Sequence, residues 1–393
     1  DLSWVINAYV LTFGGFLLLG GRLADLLGRR RVFLAGLVLF AAASLAGGFA
    51  ESELQLVIAR AVQGLGAAII SPAALSIIAT TFTEGVERNR ALGFWGAVAG
   101  SGGAAGVLLG GVLTEGPGWE WVLWVNVPIA LLVAALTPRL VSESRSEGMA
   151  RDFDVSGAIT ITAGLSVLVY AIVDAEQAGW GSTQTLVLLG VAALLIAAFV
   201  AVEQRSRAPL VPFGVFRLRT LTGSNVAGLL IGASLLTMFY FATLYMQQVL
   251  GYGPVEAGLA WLPLTIGIMV SAGVASVVVT RIGPKPVLIA GFFCVTVALL
   301  WWSRISPDGS YLSDVLGPSL LAAFGLGLSF VPMTIGAVAG IEERESGLAS
   351  GLIATSQQVG SALGLAILVT VANAASDDGL AAAAGDPSAT AVA

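Results

Sequence analysis

Residues 21–31 read G-R-L-A-D-L-L-G-R-R-R. The stretch lies between two apolar runs, at about residues 3–20 and 32–50, and it puts four arginines into one short connection. A run of about 20 apolar residues is long enough to cross the ~30 Å hydrocarbon core of a bilayer as a helix. Further runs follow at about 55–79, 91–113, 122–138, 156–174, 184–202, 221–247, 257–280, 286–303, 313–339 and 347–373, which makes twelve spans. Backbone in contact with lipid must satisfy its own hydrogen bonds, so these runs are helices. The short alternating segments of a transmembrane barrel do not occur in the sequence. Hydrophobic residues make up 57% of the 393 positions and charged residues 11%, where soluble domains carry about 25% charge. The expected fold class is therefore an all-α polytopic membrane protein.

Basic residues set the orientation of such a chain. Arg22, Arg29, Arg30 and Arg31 follow the first span, Arg88 and Arg90 the third, and Arg139, Arg145 and Arg151 the fifth. Arg205, Arg207, Arg217 and Arg219 follow the seventh, Arg281 and Lys285 the ninth, and Arg344 the eleventh. All lie in alternate connections; the opposite connections hold Arg304, and Arg60 is inside a span. The basic side is expected in the cytoplasm of a bacterial plasma membrane, with both ends of this chain outside.

Several chemistries are excluded. The sequence has no histidine, which removes imidazole metal sites and histidine-based triads. Cys294 is the only cysteine, so no intrachain disulfide forms. No phosphate-cradling G-x-x-x-x-G-K-[ST] loop occurs. An enzyme would need clustered His, Cys or carboxylates at membrane depth, and none is present in the sequence. No metal, cofactor or nucleic acid is expected.

The chain echoes itself. D-L-L-G-R-R-R-V-F-L-A-G-L at 25–37 aligns with T-R-I-G-P-K-P-V-L-I-A-G-F at 280–292, matching Gly28 to Gly283 and Val32 to Val287. G-L-G at 64–66, followed by Pro72, aligns with G-L-G at 325–327, followed by Pro332. Spans one to four thus map onto spans nine to twelve. Span eight lacks a partner before span one, and span five lacks one after span twelve. One added helix at each end gives two six-helix halves around a central pair, fourteen spans in all, with both full-length termini cytoplasmic. The expected organisation is an N-terminal bundle at 1–140, a linker and central helix pair at 141–203, a C-terminal bundle at 204–375 and a flexible external loop at 376–393.

The G-x-L-x-D-x-x-G-R-R spacing at 21–30 resembles the signature loop of the major facilitator superfamily. The resemblance implies two pseudo-symmetric helix bundles and a gating role for Gly21, Arg22, Asp25, Gly28, Arg29 and Arg30; the plain alternative is topology alone. Asp25 suits a helix N-terminus, where negative charge is favoured, and pairing with an arginine of a neighbouring helix. R-A-V-Q-G-L-G-A-A at 60–68 resembles the family's fourth-helix motif. An arginine within the membrane is costly and marks function by default, and the resemblance associates Arg60, with Gln63 beside it, with proton coupling; a structural ion pair or snorkelling is the alternative. Gly64 and Gly66 permit close helix contact.

The glycines of the fourth span, among them Gly102, Gly106, Gly110 and Gly111, resemble the family's antiporter motif, whose end is G-P-x-x-G-G; here it reads G-V-L-L-G-G, with Val107 at the proline position. Helix packing is the role these glycines keep. W-E-W-V-L-W-V-N-V-P-I at 119–129 resembles a motif of the fourteen-span drug:proton antiporter branch. Asn126 and Pro128 mark either a break facing the cavity or a kink. Residues 208–219 read as an amphipathic surface segment.

The resemblance implies a secondary active transporter working by alternating access, exporting hydrophobic or amphipathic small molecules against protons, and acting as a monomer. A carrier of lipid, siderophore, sugar or amino acid, or of uptake direction, remains open beside it. Asn7, Tyr9, Asn126, Asn225, Tyr245, Gln357 and Gln358 are the polar candidates for the cavity wall, each weighed against plain packing. Every carboxylate falls in a loop, at a span end or in the tail, so none is named for coupling; the resemblance implies one on the family's first helix, which is expected to lie ahead of this chain.

Overall fold

Lipid tails are as apolar as leucine, so helices in a bilayer associate through close packing of small residues rather than by escaping water. This chain places glycines where its helices cross. The computed structural model describes residues 3–83, 85–144, 154–206, 209–342 and 345–385. Arg145, Arg151, Arg207 and Arg344, and residues 386–393 of the expected terminal loop, lie outside the described residues.

The first half comprises α1 (Ser3–Leu27), α2 (Arg29–Gly48), α3 (Glu53–Thr81), α4 (Val86–Glu115), α5 (Glu120–Trp124) and α6 (Asn126–Leu140). A central pair follows, α7 (Val155–Ala178) and α8 (Thr183–Glu203). The second half comprises α9 (Arg219–Leu244), α10 (Pro254–Ala260), α11 (Leu262–Ile282), α12 (Pro284–Trp302), α13 (Gly317–Val338) and α14 (Ser346–Gly385). Eleven stretches among the described residues are long and apolar enough to cross a membrane, with α5–α6 and α10–α11 each forming one broken span. With α4, 30 residues long, they match the twelve expected runs.

The sequence echo is structural. Gly28 joins α1 to α2 at φ 105° and Gly283 joins α11 to α12 at φ 83°, a backbone region that side chains other than glycine's rarely tolerate. Pro72 lies inside α3 and Pro332 inside α13. In the first half α3 packs on α1 and α2; in the second α13 packs on α11 and α12. Between the halves α1 packs on α14 and α4 packs on α11, and the repeat exchanges these two seams. A Cβ on Gly93 would press on Ser276, and one on Gly347 on Gly21; Gly21 and Ser276 hold equivalent places ahead of Gly28 and Gly283. With Gly93 set on Gly347, Gly106, Leu109 and Gly110 of α4 fall without a gap on Gly360, Leu363 and Gly364 of α14.

The central pair covers one seam. α7 packs on both α1 and α14 as well as on α8. Trp4 of α1 stacks on Tyr170 of α7 at 5.7 Å, and Trp180, just after α7, donates to Thr370 of α14.

Three expectations need correction. The first span does not end near residue 20: α1 runs to Leu27, so Arg22 and Asp25 are helical. Residues 376–385, expected as loop, continue α14, in keeping with alanine's high helix propensity. Gly102, Gly106 and Gly110 meet no helix among the described residues: a Cβ at any of them would have nothing within 4 Å. Their counterparts Gly360 and Gly364 are pressed by Leu229 and Ala233 of α9, and α4 has no such neighbour among the described residues. A Cβ on Gly111 would meet Val255 at 3.5 Å, and one on Gly64 would press on the Tyr9 carbonyl and Thr12.

Gly28→Ala and Gly283→Ala should each cost about 1–3 kcal/mol through backbone strain. Only the former also drives a Cβ onto Glu143 Oε1, at 2.6 Å. Gly28→Ala should therefore lower the melting temperature in detergent more than Gly283→Ala.

Candidate functional site

Polar groups buried inside a membrane protein must find partners within it, and here they gather at two places. The first is the basic end of the α1–α14 seam. The last turn of α1 carries Asp25, which is fully buried. Its carboxylate accepts from the backbone N–H groups of Gly347 and Leu348, both at 2.9 Å, at the start of α14. Those N–H groups are among the four that any helix leaves without an internal acceptor, and the helix dipole adds to the attraction. Asp25 also pairs with Arg29 Nη2 at 3.1 Å across the turn at Gly28. Arg29 is 3% exposed. It donates from Nε to Ser76 Oγ at 2.9 Å and from Nη1 to Ser144 Oγ at 3.3 Å. Ser76 Oγ meets Ser346 Oγ at 2.7 Å.

One network thus joins α1, α2, α3, the segment after α6 and the start of α14. Gly21 lets it form, because a Cβ there would strike the Gly347 carbonyl. Around it, Glu143 accepts from Arg30 N at 3.2 Å and faces the Arg30 and Arg31 side chains at 3.7 and 3.5 Å. Arg22, 7% exposed, donates to the Pro209 carbonyl at 3.1 Å. The structure therefore brings Gly21, Arg22, Asp25, Gly28, Arg29 and Arg30 together. Sequence reasoning missed Ser76, Glu143, Ser144 and Ser346, which follow no spacing rule.

The second place is the crossing of α1 and α3. Arg60 donates from Nε to the Val5 carbonyl at 3.0 Å and from Nη1 to Gln63 Oε1. Its guanidinium sits 4.4 Å from the centre of the Tyr9 ring, a cation–π arrangement. Gln63, 2% exposed, passes the chain on to Ser44 Oγ at 2.7 Å. Among the described residues no carboxylate pairs with Arg60, so it is held by neutral oxygens and an aromatic face.

Between the halves lies a small cavity of about 100 Å³. α3 supplies Ser71, α4 Trp95, α13 Thr334, and α14 Ser350 and Gln357. Of the polar candidates only Gln357 lines it. Gln358 stands on the α1–α14 seam, 3.2 Å from where a Gly14 Cβ would be. Asn225 accepts from Ser356 at 2.8 Å, joining α9 to α14. Asn126 donates back to the Val122 and Leu123 carbonyls where α5 gives way to α6, which makes it a feature of the kink. Tyr245 donates to the Ser306 carbonyl at 2.8 Å and to Asp314 at 3.2 Å, fixing the connection after α12. Its ring also borders a second cavity of about 490 Å³, nearly all apolar, between α9, α12 and α14. Tyr9 is occupied by Arg60, and Asn7 is half-buried near the start of α1.

Two halves related by an internal repeat, meeting over a central cavity and a polar closure, define a membrane carrier. The chain belongs to the Major Facilitator Superfamily, whose profile matches residues 1–365. It is 42% identical to the cephamycin export protein of Amycolatopsis lactamdurans over 94% of this chain and 77% of that one. It is also 42% identical to the puromycin resistance protein of Streptomyces alboniger over 95% and 74%, and 35% identical to the multidrug resistance protein Stp of Mycobacterium tuberculosis over 94% and 68%. The human organic anion transporter MFSD10 shares the fold at TM-score 0.66 and 15% identity, over 93% of this chain and 76% of that one.

Asp25→Ala would leave two N–H groups without an acceptor and Arg29 buried without its carboxylate, a loss of about 3–5 kcal/mol. Asp25→Asn keeps one acceptor oxygen. Thermal unfolding in detergent should rank wild type above Asp25→Asn and Asp25→Asn above Asp25→Ala. Arg60→Lys should also lower the melting temperature, because an ammonium lacks the planar fork that serves Val5 and Gln63 from a position over the Tyr9 ring.

Proposed function

We propose that this chain forms the transport unit of a drug exporter, a secondary active carrier that moves hydrophobic or amphipathic small molecules out of the cell in exchange for protons. The observation that carries the reading is the closure at the basic end. Two halves are held together there by hydrogen bonds and close backbone contact, while the cavity between them draws its lining from both. That is the arrangement alternating access requires. The direction and class of cargo follow the export and resistance proteins that align over nearly the whole chain. The basic end is assigned to the cytoplasm of the bacterial plasma membrane, so the structure stands closed inward. Arg60 with Gln63 is the candidate for proton coupling, and the carrier acts as a monomer.

We also assign the protein to the fourteen-span branch. Two faces support this. Gly106 and Gly110 stand open where their repeat partners on α14 receive α9. Trp302 at the end of α12 and Ser303 just after it line the 490 Å³ cavity at the places where their repeat partners on α2, Gly47 and Gly48, are covered by Leu123 and Trp124. A helix ahead of residue 1 and another beyond α14 would fill both.

Two measurements test these readings. Proteoliposomes should extrude ethidium under an imposed pH gradient, and a protonophore should abolish the extrusion; gradient-independent movement would count against proton exchange. Gly106→Leu should leave the melting temperature of the 393-residue chain unchanged or slightly raised, glycine being a poor helix former by about 1 kcal/mol. In a longer chain carrying the extra helix it should lower the melting temperature.

A further inference from the structure

Residues 208–219 suggest an amphipathic segment lying on the membrane surface, but much of it is seated inside the protein. Leu210, Val211 and Val215 are 2%, 3% and 7% exposed. They form one buried cluster with Leu18 of α1, Leu348 and Leu352 of α14 and Phe199 of α8. Two fixings hold the turn there. Glu203, the last residue of α8 and 4% exposed, accepts from Leu210 N at 3.1 Å and Val211 N at 3.2 Å. Arg22 of α1 donates to the Pro209 carbonyl at 3.1 Å. A carboxylate accepting two adjacent N–H groups makes strong, directional bonds, and it fixes the shape of the turn as well as its place.

Two walls of the seat, α1 and α14, belong to different halves, while Ala158, Ile161 and Leu165 of α7, Phe199 of α8 and Leu221 of α9 complete it. α1 and α14 are the helices joined by Asp25 at this same end. If they part, the cluster loses a wall and the turn loses its apolar contacts. While they are together, the turn adds side-chain packing to a crossing that is otherwise glycine against glycine at Gly21 and Gly347. Glu203 belongs to neither half but to the central pair, whose α7 already spans the same seam.

We propose that the turn at residues 209–217, clamped by Glu203 and Arg22, is a latch by which the central helix pair holds the basic end shut, and that it leaves its seat whenever that end opens. Glu203 is then a positioning residue. The latch rests on the rocking of two halves proposed above, and the test separates the two.

In a Cys294→Ser background, Ser346→Cys reports on the closure and Val215→Cys on the seat. Each is reacted with a bulky maleimide in nanodiscs, where both faces are accessible, with and without ethidium. Both reporters should be protected at rest and both should become reactive when ethidium is added. Glu203→Ala should raise labelling of Ser346→Cys without ethidium by about threefold or more, by enlarging a sparsely populated open state. Val211→Ala, which trims the wedge and keeps the clamp, should act in the same direction and carries the test if Glu203→Ala does not fold. Ethidium-dependent labelling of Ser346→Cys with Val215→Cys still protected would overturn the latch and leave the rocking intact. So would a resting rate at Ser346→Cys that neither substitution changes. No labelling of either reporter under any condition would sink the rocking itself and the latch with it.

Discussion

The closed form of this protein depends on one carboxylate meeting the bare end of a helix. Asp25 is buried where water cannot solvate it, and three N–H donors take the place of water: Gly347, Leu348 and Arg29. Two of these are backbone groups that α14 would otherwise leave unmet. The geometry works only because Gly21 and Gly347 bring the two helix backbones close. Charge, helix terminus and glycine are thus one device. Strong bonds at a low-dielectric site become costly vacancies when broken, so the device has two well-separated conditions rather than a continuum.

The repeat explains why the rest is arranged around it. Exchange of the halves carries the α1–α14 seam onto the α4–α11 seam, but Asp25 corresponds to Thr280 and has no acidic counterpart. The polar closure is therefore one-sided. The central pair is one-sided too, since α7 lies across the α1–α14 seam alone among the two. Nearly symmetric halves carry their chemistry on one flank.

Much of the fold was legible because lipid allows few solutions. Span number, the paired turns at Gly28 and Gly283 and the paired prolines of α3 and α13 all follow from apolar length and glycine placement. The closure was partly legible: Gly21, Asp25 and Arg29 sit in one recognisable spacing. Ser76, Glu143 and Ser346 are ordinary polar residues, and only folding brings them to partners far along the chain; Glu203 meets its two N–H partners just beyond its own helix, across a turn that no spacing rule marks. Asn126 and Tyr245 were legible only in part, because a polar residue within an apolar run signals burial without saying whether its partner is its own span, a loop or a cavity: Asn126 turns back on its own span, and Tyr245 meets both a loop and a cavity wall. The glycines of α4 carried the opposite trap. Their spacing fits a helix crossing, but no spacing tells which neighbour is meant to arrive.

The contact of Gly21 with Gly347 has a wider consequence. A crossing made of main chain carries no side-chain identity, so its fit does not vary with what the transporter handles. The groups that border the central space, Ser71, Trp95, Thr334 and Gln357, lie elsewhere on the same helices or on others. Cargo preference is free to drift at those positions while the moving joint stays the same part.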